Sequence, residues 1–194
     1  MINIIVLGAP CSGKGTQSLR ISSFFNLTHL STGDMFRNEI SNNTAMGKVV
    51  QSYINKGELV PDNIVLKEIY KHATSKSNAN GFVFDGFPRT LNQAVLLDKS
   101  FQKKNISITL AIYMDVEEKV LINRMLHRSR GSNRSDDSLD ILERRVHIYK
   151  EQTLPVLDYY KEQQKLLTVT GMNDVEEVFT SIRLGIEGFI LNYN

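Results

Sequence analysis

The sequence predicts a three-layer α/β protein, a five-stranded parallel sheet with helices on both faces, and three observations carry that expectation. Apolar runs of strand length recur along the chain. Helix-patterned segments separate them. The first run, Ile2 to Leu7, opens directly into the glycine-rich stretch Gly8-Ala9-Pro10-Cys11-Ser12-Gly13-Lys14-Gly15-Thr16. In such sheets ligands lie at the carboxyl ends of the strands, and Gly8, Asp85, Asp115 and Gly171 all fall at predicted strand ends.

Taken in order, Gln17 to Phe25 has apolar residues at Leu19, Ile21, Phe24 and Phe25, an amphipathic helix long enough for a crossover. Leu27 to Leu30 is a short strand. Three helix starts follow in quick succession: Thr32-Gly33-Asp34, with Asp34 the expected N-cap, then Thr44, then Pro61-Asp62. Short helices so close together predict an insertion standing proud of the sheet. Phe82 to Phe84, ending at Asp85, and Ile106 to Met114, ending at Asp115, are buried strands separated by helical sequence. Val116, Val120, Leu121, Met125 and Leu126 fall at helical spacing as far as Arg128, and Ser129 to Asp137 breaks the pattern. A further helix starts near Ser138, with Asp140 and Glu143 suiting its positive end, and Pro155 should kink or divide it. Leu166 to Thr170 is the last strand, and a final helix begins near Asp174.

The length of 194 residues fits one domain with insertions. A charged content of 23% and hydrophobic content of 41% exclude disordered and fibrous classes. The net charge of +2 is uninformative, but six of the ten arginines lie between Arg124 and Arg145, which implies a local anion site. Cys11 is the only cysteine, so no disulfide framework and no structural zinc are expected, and a reducing, cytoplasmic home fits. No run approaches the roughly 20 apolar residues of a membrane span. Ser75 to Gly81 reads as a polar loop, not a domain linker.

The glycine-rich stretch has the P-loop spacing Gly8-x4-Gly13-Lys14. A strand feeding such a turn and then a helix points backbone N–H groups at phosphate oxygens, and Lys14 adds a point charge. The hydroxyl that usually follows the lysine is displaced: Gly15 stands there and Thr16 comes next. Asp85, at a strand end beside this loop, is placed to hold water on Mg²⁺, and Arg89 to reach phosphate oxygens as a planar fork. Thr32, Asp34 and Arg37 cluster at a helix start. Arg124 and Arg128, four apart, share a helix face, with Arg134 on the loop beyond and Arg145 on the returning helix. Arg130 and Arg144 read as solvated surface.

Together these residues resemble the adenylate kinases of the nucleoside monophosphate kinase family, from Gly8 to the Gly171 region. Gly-Ala-Pro-x-x-Gly-Lys-Gly-Thr-Gln is similar to that family's phosphate loop, which accounts for Gly15. Ser31 to Arg37, Gly57 to Asp62, and Asp85 to Thr90 followed by Gln93 resemble its monophosphate-binding segments. The resemblance implies a P-loop core over 1–30, 61–126 and 138–194, a helical insertion for the monophosphate over 31–60, and a short lid over 127–137. It further implies that Cys11, Ser12, Gly13, Lys14, Gly15 and Thr16 hold ATP phosphates. Arg124 and Arg128 would flank the ATP end, and the backbone at Asn173 would meet its adenine. AMP would be bound by Thr32, Arg37, Arg89 and Gln93, with backbone at Glu58, Leu59 and Val60 and along Gly86, Phe87 and Pro88. Gln93 would read the adenine edge, and Arg134 and Arg145 would close on the transferring group. Cys11 stands where the family usually carries glycine, and the lid is too short for the zinc-bearing form.

The reaction so implied is ATP + AMP ⇌ 2 ADP with Mg²⁺, in which Lys14, Arg89, Arg128, Arg134 and Arg145 stabilise charge on the moving phosphoryl group. An AMP oxygen is already anionic, so no histidine is required as base. The expected partners are ATP, AMP and ADP alone, with no nucleic acid or membrane, and the expected state is a monomer. A UMP/CMP kinase is the alternative; Thr32 and Gln93 favour adenine. A nucleotide sensor without turnover is the other, against which the intact cationic set speaks.

Overall fold

The computed structural model describes residues 1–75, 79–131 and 136–193. Strand β1 (Ile2–Gly8) is buried along nearly its whole length because it is central, with β3 (Gly81–Asp85) on one side and β4 (Leu110–Asp115) on the other. β2 (Thr28–Ser31) and β5 (Leu166–Thr170) complete the sheet in the order β2-β3-β1-β4-β5, and every pairing is parallel. A strand buried on both faces needs apolar side chains at consecutive positions, and β1 splits them evenly. Ile5 and Leu7 pack on one face with Phe84 and Ala111, under α4 (Asp62–Thr74), α5 (Leu91–Gln102) and α8 (Pro155–Glu162). Ile4 and Val6 pack on the other with Val83 and Ile112, under α1 (Lys14–Phe24) and α9 (Val175–Tyr193). The chain leaves β1 toward β2 and β3 on one side and returns toward β4 and β5 on the other, so the topological switch lies at the end of β1.

Elsewhere the predicted elements shift at their ends for identifiable reasons. Ile106 to Thr109 precede β4 instead of extending it, because the buried Asn3 side chain occupies the ladder: its Nδ2 donates to the Ser107 carbonyl at 2.9 Å and its Oδ1 accepts from the Phe82 N–H at 3.2 Å. Helix α1 starts at Lys14, about a turn before the expected start at Gln17, since its opening turn faces a cavity and not the core. The insertion holds α2 (Thr32–Ser41) and α3 (Ala45–Ile54). Asp34 is not the N-cap of α2. Ser31 is, accepting the Asp34 N–H at 3.3 Å, and Asp34 instead pairs with Arg37 one turn on.

Helix α6 (Glu118–Gly131) runs past Arg128, so Ser129 to Gly131 are helical where the apolar pattern fails. α7 (Leu139–Ile148) starts after Ser138 as expected, and the chain then passes through a π-helical turn, Tyr149–Thr153, before Pro155 restarts the helix as α8. Proline's missing N–H and fixed φ suit that restart. No helix among the described residues is long and apolar enough to cross a membrane.

Candidate active site

Two adjoining cavities open at the carboxyl ends of the strands, and Lys14, Gly33, Arg37, Gly86, Arg89 and Arg145 border both. The first cavity penetrates between the insertion and the sheet. The second runs along the phosphate loop and α1.

The loop is shaped by two left-handed residues. Gly13 (φ 92°) caps α1, and Cys11 adopts φ 64°, a region that costs a residue with a side chain about 1–2 kcal/mol. That explains why glycine suits position 11 and shows that the cysteine takes up the same turn. Gly8 is required for another reason: a Cβ there would lie 2.6 Å from the hydroxyl oxygen of Ser12, whose side chain is buried beneath the loop. Gly15 lies beside Asp85, and a Cβ at that position would only reach ordinary van der Waals contact with Oδ2, at 3.4 Å. Cys11, Gly13, Lys14, Gly15 and Thr16 all border the second cavity, whereas Ser12 can contribute its backbone.

Lys14 Nζ donates to the Ala9 carbonyl at 3.1 Å. Burial, with Arg89 and Arg145 nearby, outweighs the attraction of Asp85 and lowers its pKa to about 8. Arg89, behind it, has its pKa lowered to about 10, chiefly by burial and by Arg145. It is held in place at two points: its Nε donates to the Gly86 carbonyl at 2.7 Å, and its own carbonyl accepts from Thr153 Oγ1 at 2.8 Å. Burial would raise the Asp85 carboxyl, but His29, 3.6 Å away, together with Lys14 and Arg89 holds it below the usual carboxylate range. Among the described residues no three metal-ligating side chains converge. A single ionised carboxylate beside phosphates still fits Mg²⁺, which keeps most of its waters and takes one or two carboxylates.

The other arginines are positioned by partners the sequence reading missed. Arg124 is a strut: it donates to the Ser12 carbonyl at 3.2 Å and the Gly171 carbonyl at 2.9 Å, tying the loop to the end of β5. Arg128 Nε donates to Asp137 Oδ2 at 2.8 Å, and Arg145 Nη1 to Asp136 Oδ2 at 2.7 Å. Both aspartates are buried, which is unusual for that residue type and shows that they pre-align the guanidinium groups. Consecutive acids between two arginine-bearing helices were the available signal. Arg134 lies outside the described residues.

In the first cavity, Thr32 Oγ1 donates to the Gly86 carbonyl at 2.9 Å, and Arg37, ion-paired with Asp34, faces the seam. Glu58, Leu59 and Val60 form one wall and Pro88 borders it beside Gly86. Phe36, Ile54 and Val65, which the sequence reading passed over, add apolar surface suited to the faces of a flat ring. Phe87 points away: its ring is fully buried against Phe84, leaving only backbone for a ligand. Gln93 borders the cavity yet is nearly fully buried. Arg144 is on the solvated surface as expected, and from there donates to Glu58 Oε1 at 2.7 Å, an exposed ion pair between α7 and the insertion. Asn173 is exposed after β5, two residues from Val175, which borders the second cavity.

A family model described as "Adenylate kinase" matches residues 6–165. Among known proteins, an adenylate kinase of Azobacteroides pseudotrichonymphae is 43% identical over 94% of this chain and 95% of its own. Adenylate kinases of Parabacteroides distasonis and Flavobacterium psychrophilum are 42% and 40% identical, over 94% and 92% of this chain and 96% and 94% of theirs. A phosphate loop at the switch point, two cavities meeting on a cationic wall, and end-to-end similarity converge on one conclusion: the chain belongs to the adenylate kinase family and is a nucleoside monophosphate kinase.

Proposed function

We propose that this kinase transfers the γ-phosphoryl group of magnesium-bound ATP to AMP, reversibly, giving two ADP. The observation that carries the reading is the shared wall: Lys14, Arg37, Arg89 and Arg145 border both cavities, so phosphates entering from either side end beside the same cations. ATP takes the second cavity. Its phosphates meet the backbone N–H groups of Cys11 to Thr16 and the Lys14 ammonium, with Arg128 alongside and the loop held by Arg124. Its base lies toward Asn173. AMP takes the first cavity, its phosphate on Arg37 and Arg89, near Thr32, and its base between Phe36, Leu59 and Val65 against Gln93.

The nucleophile is an AMP phosphate oxygen, already ionised at neutral pH, so no proton has to be removed to make it. The task is to overcome repulsion between two polyanions and to keep water from taking the phosphoryl group. Lys14, Arg89, Arg128 and Arg145 stand fixed before any substrate arrives, three of the arginines by hydrogen bonds to carbonyls or buried carboxylates. Such preorganised donors need no rearrangement as charge develops. Asp85 is the residue that would hold Mg²⁺ through its waters, and the ion would supply neutralising charge for the phosphates. The segments 31–60 and 127–137, with Arg134 on the latter, act as the two closing parts. A monomeric, cytoplasmic enzyme without nucleic-acid or membrane partners completes the reading.

The test is a coupled assay for ADP with AMP, CMP and UMP supplied in turn, with and without chelation of Mg²⁺. AMP should be used far better than either pyrimidine, and chelation should abolish turnover. Preferential use of UMP or CMP would replace this reading with that of a pyrimidine monophosphate kinase. Saturable ATP binding without any ADP formed would make the chain a nucleotide sensor.

A further inference from the structure

Gln93 is held at both ends of its side-chain amide. Its Oε1 accepts from the backbone N–H of Arg89 at 2.7 Å, and its Nε2 donates to Asp62 Oδ1 at 2.7 Å. A backbone N–H can only donate and a carboxylate can only accept, so this pair of partners dictates which end of the amide is oxygen and which is nitrogen. We infer that Asp62 is a positioning residue that locks the orientation of the Gln93 amide and thereby makes the site select a 6-aminopurine over a 6-oxopurine. The inference rests on the reading that Gln93 meets the AMP base.

The amide keeps one lone pair on Oε1 and one hydrogen on Nε2 for a ligand. Glutamine reads adenine with just this pair, its oxygen taking the 6-amino hydrogen and its NH₂ meeting a neighbouring ring nitrogen. A 6-oxopurine reverses the first contact, putting a carbonyl oxygen against Oε1. Only a rotated amide could accommodate it. Rotation would turn NH₂ onto the Arg89 N–H and Oε1 onto the Asp62 carboxylate, two like-for-like clashes in a nearly fully buried side chain. Asp62 is itself anchored for this role. It is the first residue of α4, it accepts from Asn92 Nδ2 at 2.7 Å, and Thr90, the N-cap of α5, has its hydroxyl 3.3 Å from Oδ2. The carboxylate therefore fixes the start of one helix to the start of the next, with the reading amide between them.

The experiment measures kcat and KM with AMP and with inosine monophosphate for the wild type, Asp62→Ala, Asp62→Asn, Gln93→Leu and Asn92→Ala. Asp62→Ala should lower the AMP-to-IMP ratio of kcat/KM roughly tenfold, the worth of about one hydrogen bond, through KM and not kcat. Asp62→Asn leaves one acceptor oxygen for three donors and should shift the ratio less, in the same direction; it also serves if the alanine variant does not fold. Asn92→Ala removes one anchor of Asp62 and leaves its contact with Gln93, and should lower the ratio less than Asp62→Ala does. An unchanged ratio in both Asp62 variants, with Gln93→Leu collapsing it, would overturn the role of Asp62 alone. An unchanged ratio in Gln93→Leu would overturn the underlying placement of the base.

Discussion

Replacing Lys14 by methionine should abolish turnover and, in the ligand-free protein at neutral pH, raise stability. The ammonium's pKa falls from 10.5 to about 8 on folding, so the charged form is disfavoured by about 3 kcal/mol at 1.36 kcal/mol per unit. The residue is only half-buried, and solvent at the cavity mouth screens part of this, leaving about 2 kcal/mol. Losing the hydrogen bond to the Ala9 carbonyl returns roughly 0.5–1 kcal/mol, for a net gain of about 1–1.5 kcal/mol. In a chain of this size that is roughly 3–5 °C in Tm. The pH dependence has a definite sign. The folded-state pKa lies below the unfolded one, so the penalty is fully present below about pH 8 and is relieved between about 8 and 10.5, where the unfolded chain binds more protons. Thermal or urea denaturation of both proteins from pH 6.5 to 10 should therefore show the variant ahead at low pH and the gap closing as pH rises. With saturating nucleotide the order should reverse, because ligand stabilises only a form that binds it. A variant no more stable than wild type at pH 7, or a gap independent of pH, would refute the idea that Lys14 is held charged against its environment.

Other substitutions follow from the same geometry. Arg89→Ala should lower kcat by on the order of 10³ with the fold intact, since the guanidinium is among the groups facing the transferring phosphoryl; circular dichroism and the coupled assay check both halves. Asp137→Ala removes the 2.8 Å partner of Arg128, and because that arginine keeps some solvent access the loss of stability should be about 2 kcal/mol, below the range for a fully buried pair; urea denaturation reads it. Cys11→Gly should be neutral or stabilising by up to about 1 kcal/mol, relief of the left-handed strain offset by the unfolded-state entropy of glycine, with turnover retained. A clear destabilisation there would show that the thiol packs to purpose.

The inner strands β1, β3 and β4 were legible because they are largely apolar runs, and the phosphate loop because glycine spacing with a lysine has no other common use. What the sequence hid is relational. Nothing in its pattern says that Asn3 interrupts the ladder beside β4, since that depends on which strand becomes its neighbour. Asp34 was misread as a cap because the helix begins earlier than its pattern suggests, so that Ser31, the last residue of β2, is the cap. Arg144 is the surface residue it was read to be, but its exposed pairing with Glu58, 86 residues away, was not visible. Asp136 and Asp137 were visible as acids but not as the carboxylates that aim Arg145 and Arg128. The family resemblance supplied Gln93 and Thr32 as ligand residues; that Gln93 is held by Asp62 and Arg89 emerges only in the folded chain.

The central claim is that two nucleotides meet tip to tip across one cationic wall. Calorimetric titration with a bisubstrate dinucleotide, two adenosines joined through a polyphosphate, tests it most directly. One molecule should bind per chain, tightly, excluding both ATP and AMP, and Arg89→Ala should weaken it far more than it weakens ATP alone. Binding of two molecules per chain, or continued binding of AMP beside the dinucleotide, would contradict the account.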